Sequence, residues 1–259
     1  MNKRIRFKCF IDCSSYCCGG ATIITIKEIG RLYKYFPITI SFRKIYPFDS
    51  FHRNYLENIA FRYKNFHIIG DFIAGNRMRK KCSFLKNSLC SINDIKPLQC
   101  RIIPFSVTFP EEYQHLVISQ KRKEAFRYCK GFMEDAPVVW EEKFVDKHLK
   151  EDFYRLRDYI REQRDILEKI FLTLEGMPPF DKFIAFQKGI LEVPIINDFA
   201  KDIFSCAGIN NIDEFIKFQK SLFIKDAMTD GIKNSLFIEA LNMIEKMKDL
   251  TEKVKSYYY

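Results

Sequence analysis

Histidine and tryptophan are scarce in this 259-residue chain, which has four His and one Trp. No apolar run approaches the roughly 20 residues that a membrane-crossing helix requires. The start, MNKRIRFKCF, is basic and runs into cysteine without an apolar segment, so it does not read as a secretory signal. A cytoplasmic, reducing setting is therefore expected, and with it thiols rather than disulfides. No glycine-rich loop follows a strand, which removes the signature of an ordinary nucleotide-binding or methyltransferase fold. No Ser-His-Asp series or pair of catalytic carboxylates can be argued from spacing. His52, His67, His115 and His148 lack metal-ligand spacing and read as structural or solvated positions.

What the chain does contain is apolar mass and sulfur. It is 47% hydrophobic with 26 Phe, enough for a real core. Eight of its nine cysteines precede residue 130: Cys9, Cys13, Cys17, Cys18, Cys82, Cys90, Cys100 and Cys129. The opening run brings three thiols together in one loop, at Cys9, Cys13 and Cys17. Cys17 and Cys18 are adjacent. Consecutive side chains diverge in a helix or a strand, so this pair is expected to face two centres or to leave one thiol spare. Eight thiols suffice for two four-thiolate sites, and such sites hold zinc or an iron–sulfur cluster. Cys206 has no cysteine neighbour and reads as a packed thiol.

Charge follows the cysteines. Residues 1–130 hold 24 Lys and Arg against 9 Asp and Glu, a net +15, while residues 131–259 are at −5. Arg77, Arg79, Lys80 and Lys81 precede Cys82, and Lys121, Arg122, Lys123, Arg127 and Lys130 surround Cys129. These cations either compensate thiolates or meet an anionic partner, nucleic acid or an acidic protein. Arg101, beside Cys100, is expected to bond sulfur or an acidic side chain and orient its loop.

Patterning predicts a helix over Ile26–Tyr35, begun by a Thr25/Glu28 capping box and stopped by Pro37. Strands are expected over 38–43 and 66–74, the latter closed by Gly75-Asn76. The stretch 51–63 is ambiguous, with a helical option. Alternation at Ile103, Phe105, Val107 and Phe109 predicts another strand, paired with one at His115–Ser119. Beyond residue 135, Phe153, Leu156, Ile160, Leu167, Ile170 and Leu174 recur at helical spacing with Gln163 in the seam. Shorter helices are expected over 180–225, and a long terminal helix from Leu236 to Val254. The fold class expected is α+β: a small irregular cysteine-rich metal-binding domain with short strands over 1–135, then an all-helical domain over 136–259.

The phrases FKCFIDCSSYCC, KCSFLKNSLCSIND and KPLQCRIIPF, in this order, resemble the YkgJ-type CxxCxxCC family of zinc- or iron-chelating proteins. The phrases rest on Cys82, Phe84, Leu85 and Cys90, then on Pro97, Cys100, Arg101 and Pro104, with Cys129 as the eighth cysteine. Departures are the three-residue gap between Cys13 and Cys17, Lys96 where Arg is usual, and Asn93 where Tyr is common. The resemblance covers about the first half of the chain and implies a metal-chelating domain. Some relatives resemble the flagellin lysine methylase, which implies S-adenosylmethionine-dependent protein lysine methylation as an alternative function. A nucleic-acid-binding metal module is a second alternative.

Overall fold

Alternating apolar residues at Ile38, Ile40 and Phe42 build the longest pairing of the fold, against the strand that begins at Phe66. A computed structural model of the chain describes residues 4–9, 17–18, 21–75, 82–87, 89–185, 189–195 and 197–229. Its elements begin with β1 (Arg4–Arg6), β2 (Ala21–Ile24), α1 (Ile26–Leu32), β3 (Ile38–Ile45), α2 (Ser50–Ile59), β4 (Phe61–Tyr63) and β5 (Phe66–Gly75). There follow β6 (Leu85–Lys86), β7 (Leu89–Cys90), α3 (Leu98–Arg101), α4 (Gln114–Lys123), β8 (Val138–Glu141) and β9 (Lys143–Phe144). The chain continues through α5 (Lys147–Thr173), α6 (Pro178–Ala185), β10 (Ile190–Pro194), α7 (Asn197–Ala207) and α8 (Ile212–Thr229). The class is α+β, and the described strand pairs are antiparallel.

The main sheet runs β10-β3-β5-β2, with β4 also against β5. On one face, Ile40 and Phe42 of β3 lie opposite Phe72 and Gly70 of β5. This face meets Ile29 and Leu32 of α1, Leu167 and Phe171 of α5, Phe180 of α6, Phe204 of α7 and Phe215 of α8 in one apolar cluster. Ile69 points the other way. It joins Leu56 and Ile59 of α2, Leu98, Phe105, Trp140 and the first half of α5 in a second cluster. Residues on both sides of the expected 135/136 boundary contribute to both clusters. No described helix is long and apolar enough to cross a membrane.

Several sequence expectations are met closely. The Thr25/Glu28 capping box starts α1. α2 takes the helical option over the first part of 51–63, before β4. Gln163 fills its seam position at 2% exposure, where its Oε1 accepts the Ile26 N–H at 3.0 Å.

Other expectations are corrected. The predicted strand at 103–109 is a run of turns, and His115–Ser119 lies within helix α4. Gln114 explains both. Its Oε1 accepts the Ser106 N–H at 3.1 Å, and its Nε2 reaches the carbonyls of Ser106, Phe109 and Pro110 at 2.9, 3.0 and 3.2 Å. With Tyr55 on the Val107 carbonyl, His52 on the Thr108 carbonyl and Lys121 on the Pro104 carbonyl, side chains take up the turn backbone and no partner strand is needed. The region after residue 135 is not all-helical, because β8, β9 and β10 lie in it, and β10 pairs with β3 from Ile190↔Arg43 to Pro194↔Thr39. The strands of the first half are not all short, since β5 has 10 residues and β3 has 8. The expected helix from Leu236 to Val254 lies outside the described residues, as does Asn76 of the expected turn.

Two glycines mark where helices approach closely. A Cβ on Gly30 of α1 would lie 2.3 Å from the Ala207 carbonyl oxygen of α7, and one on Gly70 would lie 2.9 Å from Leu167 Cβ. Overpacking of this kind typically destabilises by about 1–3 kcal/mol. Gly30→Ala and Gly70→Ala should both lower the urea midpoint. Gly30→Ala should lower it more, because its Cβ would meet a backbone carbonyl at 2.3 Å, a far shorter approach than the 2.9 Å to Leu167 Cβ.

Candidate metal centre

Three segments distant in sequence bring cysteines together. The first is the turn at Cys17-Cys18, just before β2. The second begins at Cys82, whose N–H donates to the Cys18 carbonyl at 2.7 Å. The third is α3, which carries Cys100 and packs beside β2, placing Cys100 Sγ 3.3 Å from Thr22 Oγ1. Cys17 donates a hydrogen bond to the Cys18 sulfur, so these two thiols meet rather than diverge. The divergence rule holds for helices and strands, and this pair sits in a turn.

The two best-defined thiols are driven in opposite directions. The Cys17 hydrogen bond lowers the Cys18 thiol to about 6, against the opposing effect of burial and with help from the Lys96 cation. Burial pushes the Cys100 thiol up to about 11; Thr22 and Lys96 moderate the shift, while Cys18 and Cys82 add to it by repulsion. Cys18 and Cys82 are therefore within electrostatic reach of Cys100, with Lys96 as the nearby cation.

Cys90 follows in the β6–β7 hairpin, opposite Leu85. Leu85 N–H donates to the Cys82 carbonyl at 3.2 Å, and Ser91 N–H to the Phe84 carbonyl at 2.8 Å. The Phe84 ring packs 4.7 Å from that of Phe36, which docks the hairpin after α1. Cys9 and Cys129 occupy a different neighbourhood. Lys8 N–H donates to the Gly131 carbonyl at 2.9 Å, and Cys129 Sγ accepts the Gly131 N–H at 3.4 Å. Cys13 lies outside the described residues, as do Arg77, Arg79, Lys80 and Lys81. Cys206, expected to pack, is instead an exposed free thiol on α7. Among the described residues, no three His, Cys, Asp or Glu side chains are spaced to hold a metal ion.

The histidines are occupied elsewhere. His52 is fully buried, its Nδ1 accepting the Phe48 N–H and its Nε2 donating to the Thr108 carbonyl, both at 3.3 Å. His67 Nε2 lies 3.3 Å from Glu57, His115 stacks on Trp140, and His148 is exposed on α5. Arg101 orients its loop by donating to the Lys96 carbonyl at 3.0 Å, rather than by bonding sulfur or an acidic side chain.

Sequence reasoning missed the residue that places Cys100. Glu28 Oε1 accepts the Leu98 N–H at 2.9 Å, which fixes the first turn of α3. Its capping-box spacing was visible, but this third partner lies 70 residues away. Comparison of the chain with protein-family models, curated proteins and solved structures finds no match.

Glu28→Ala would leave the buried Thr25 and Leu98 N–H groups without an acceptor. At roughly 1–3 kcal/mol for each such group, the variant should lose at least about 2 kcal/mol in urea denaturation. An unchanged midpoint would show that water replaces the carboxylate.

His52 gives a pH signature. Burial lowers its pKa below the ordinary 6.5, offset in part by Thr108 and Asp49. The unfolded chain then binds more protons than the folded one as pH falls below about 6.5. Stability should be fully present above that pH and decline below it. His52→Gln should flatten this part of the stability profile, measured by urea midpoints between pH 7 and 5.

Proposed function

We propose that this chain is a metal-binding protein that holds zinc or an iron–sulfur cluster through its eight early cysteines. The observation that carries the reading is the convergence of Cys17, Cys18, Cys82 and Cys100 from three separate segments beside Lys96. The donor chemistry fits. These are soft sulfur ligands, and Cys18 is poised to be a thiolate at neutral pH, the form that binds metal. Lys96 supplies one positive charge to a group of thiols that would carry several negative ones. A cation shared among the sulfurs would favour the thiolate form of Cys100 despite its burial. Cys90, in the hairpin beside Cys82, extends this set. Cys9, Cys13 and Cys129 would contribute from the loop and from the neighbourhood of Gly131. The spaced resemblance to the YkgJ-type family supports the same reading.

Bound zinc would supply a closed structural site, and an iron–sulfur cluster would supply an electron-transfer or Lewis-acid centre. Thr22 would hydrogen-bond the Cys100 sulfur in either case, and Glu28, through Leu98, would hold that cysteine in place. Anaerobic purification followed by Zn and Fe analysis and a visible spectrum tests the reading. At least about one metal equivalent per chain is expected, the minimum for one four-thiolate site. Cys18→Ala and Cys100→Ala should each lose most of a site, while Cys206→Ala keeps the full content. Less than about half an equivalent in the wild-type protein, or equal loss from Cys206→Ala, would overturn the assignment.

A further inference from the structure

Around Cys129 the surface has a second character that metal binding does not use. After the last turn of α4, the segment from Glu124 to Phe132 folds as a series of turns that ends in a 3-10 turn over Lys130–Phe132. Phe126 N–H donates to the Lys121 carbonyl at 2.7 Å, Arg127 N–H to the Glu124 carbonyl at 3.2 Å, and Cys129 N–H to the Phe126 carbonyl at 3.0 Å. A small aromatic base holds it down. The Phe132 ring lies 5.1 Å from Phe7 and 6.2 Å from Phe126, and the Arg122 guanidinium sits 5.2 Å over Phe132. Lys121 is anchored beneath, donating to the Pro104 carbonyl at 2.8 Å. Gly131 closes the segment onto the strand edge beside Lys8, so close that a Cβ there would meet the Phe7 ring at 2.6 Å.

This scaffold presents Lys8, Arg122, Lys123, Arg127 and Lys130 to solvent. No described carboxylate forms an ion pair with any of the five. Elsewhere the basic residues Arg4, Lys27, Arg31, Lys34, Arg43 and Arg62 are paired with Glu or Asp. Among the five cations stands Tyr128, 64% exposed, with the Arg127 guanidinium 5.5 Å from its ring. Cations without acidic partners suit a polyanion. An exposed ring flanked by guanidinium adds a surface on which a planar base stacks, and an acidic peptide has little use for it.

We propose that this ridge is a binding surface for single-stranded nucleic acid, with the cations on phosphates and Tyr128 stacked on a base. The proposal stands independently of the metal assignment. Its phosphate contacts impose a salt dependence whose slope is about −0.7 per phosphate for a single strand. Its stacking contact makes it selective for nucleic acid over other polyanions.

The test uses the full chain with fluorescein-labelled oligouridine, oligodeoxythymidine and polyglutamate, titrated by anisotropy across a salt series, with metal content measured on every sample. Binding to the oligonucleotides is expected, and a difference between the two would report a contact with the 2′-hydroxyl. A Lys123/Arg127/Lys130→Gln variant should reduce the salt slope by about 2. Tyr128→Ala should weaken oligonucleotide binding by about 5- to 150-fold, the stacking range for one base, and leave the metal content unchanged. Three outcomes would overturn the proposal: no oligonucleotide binding at low salt, equal affinity for polyglutamate with no effect of Tyr128→Ala, or loss of metal in the charge variant without loss of binding. The last would assign the cations to the thiolates. A metal-free wild-type protein that still binds oligouridine would leave this proposal standing and remove only the metal reading.

Discussion

The carboxylate of Glu28 is almost sealed from solvent, at 3% exposure, and each of its oxygens holds a different part of the fold. Oε2 accepts the Thr25 N–H at 2.9 Å and so begins α1 where β2 ends. Oε1 accepts the Leu98 N–H at 2.9 Å and the Arg31 Nη2 at 2.6 Å. Burying a carboxylate is unfavourable unless it is paired and hydrogen-bonded, so these donors must arrive together. That requirement couples β2, α1 and α3. The next residue of α1's first turn extends the coupling to α5, because the Ile26 N–H donates to Gln163. Thr22 stands on the strand before Glu28, and Cys100 on the helix that Glu28 starts. The candidate site therefore inherits its geometry from a helix cap.

Where a pattern was local, the sequence carried it. The capping box and Pro37 bounded α1, alternation marked β3, and the seam of Phe153, Leu156 and Ile160 marked α5. Where the outcome depended on a distant partner, it did not. Ile103–Phe109 alternates as a strand does, yet side chains of neighbouring helices, Gln114, Tyr55, His52 and Lys121, take up its backbone groups, so no ladder is needed. Residues 190–194 form a strand because β3 offers an open edge, and a five-residue segment interrupted by Glu192 and ended by Pro194 does not reveal that. The cysteines were legible as a set, since density and order are sequence properties. Their grouping was not. The contact between Cys17 and Cys18 depends on a turn, and the approach of Cys100 depends on Glu28.

The thiols illustrate how one neighbourhood produces opposite shifts. Cys18 is lowered because a donor faces it, and Cys100 is raised because burial outweighs Thr22 and Lys96. Once Cys18 ionises, its charge further disfavours ionisation of Cys100. A group arranged in this way does not readily become a full set of thiolates by losing protons to water. An added cation among the sulfurs would reverse that balance, since each thiolate would then stabilise the ion instead of opposing its neighbour.

The excess positive charge of the first half resolves into parts with different physical roles. Arg31, Arg43 and Arg62 neutralise Glu28, Asp71 and Glu57 within the fold. Lys96 serves the thiols. Lys121 is half-buried, its ammonium pushed down to about 8 by burial and held by the Pro104 carbonyl, so it supports the turns above it and faces no ligand. What remains around Cys129 is charge held on an aromatic base, without a described acidic partner. Flexible surface lysines would lose entropy on binding a polyanion. Here Arg122 already rests on Phe132, and Arg127 already lies near the Tyr128 ring. Part of that ordering is complete before any ligand arrives, which distinguishes the ridge from an ordinary solvated charge run.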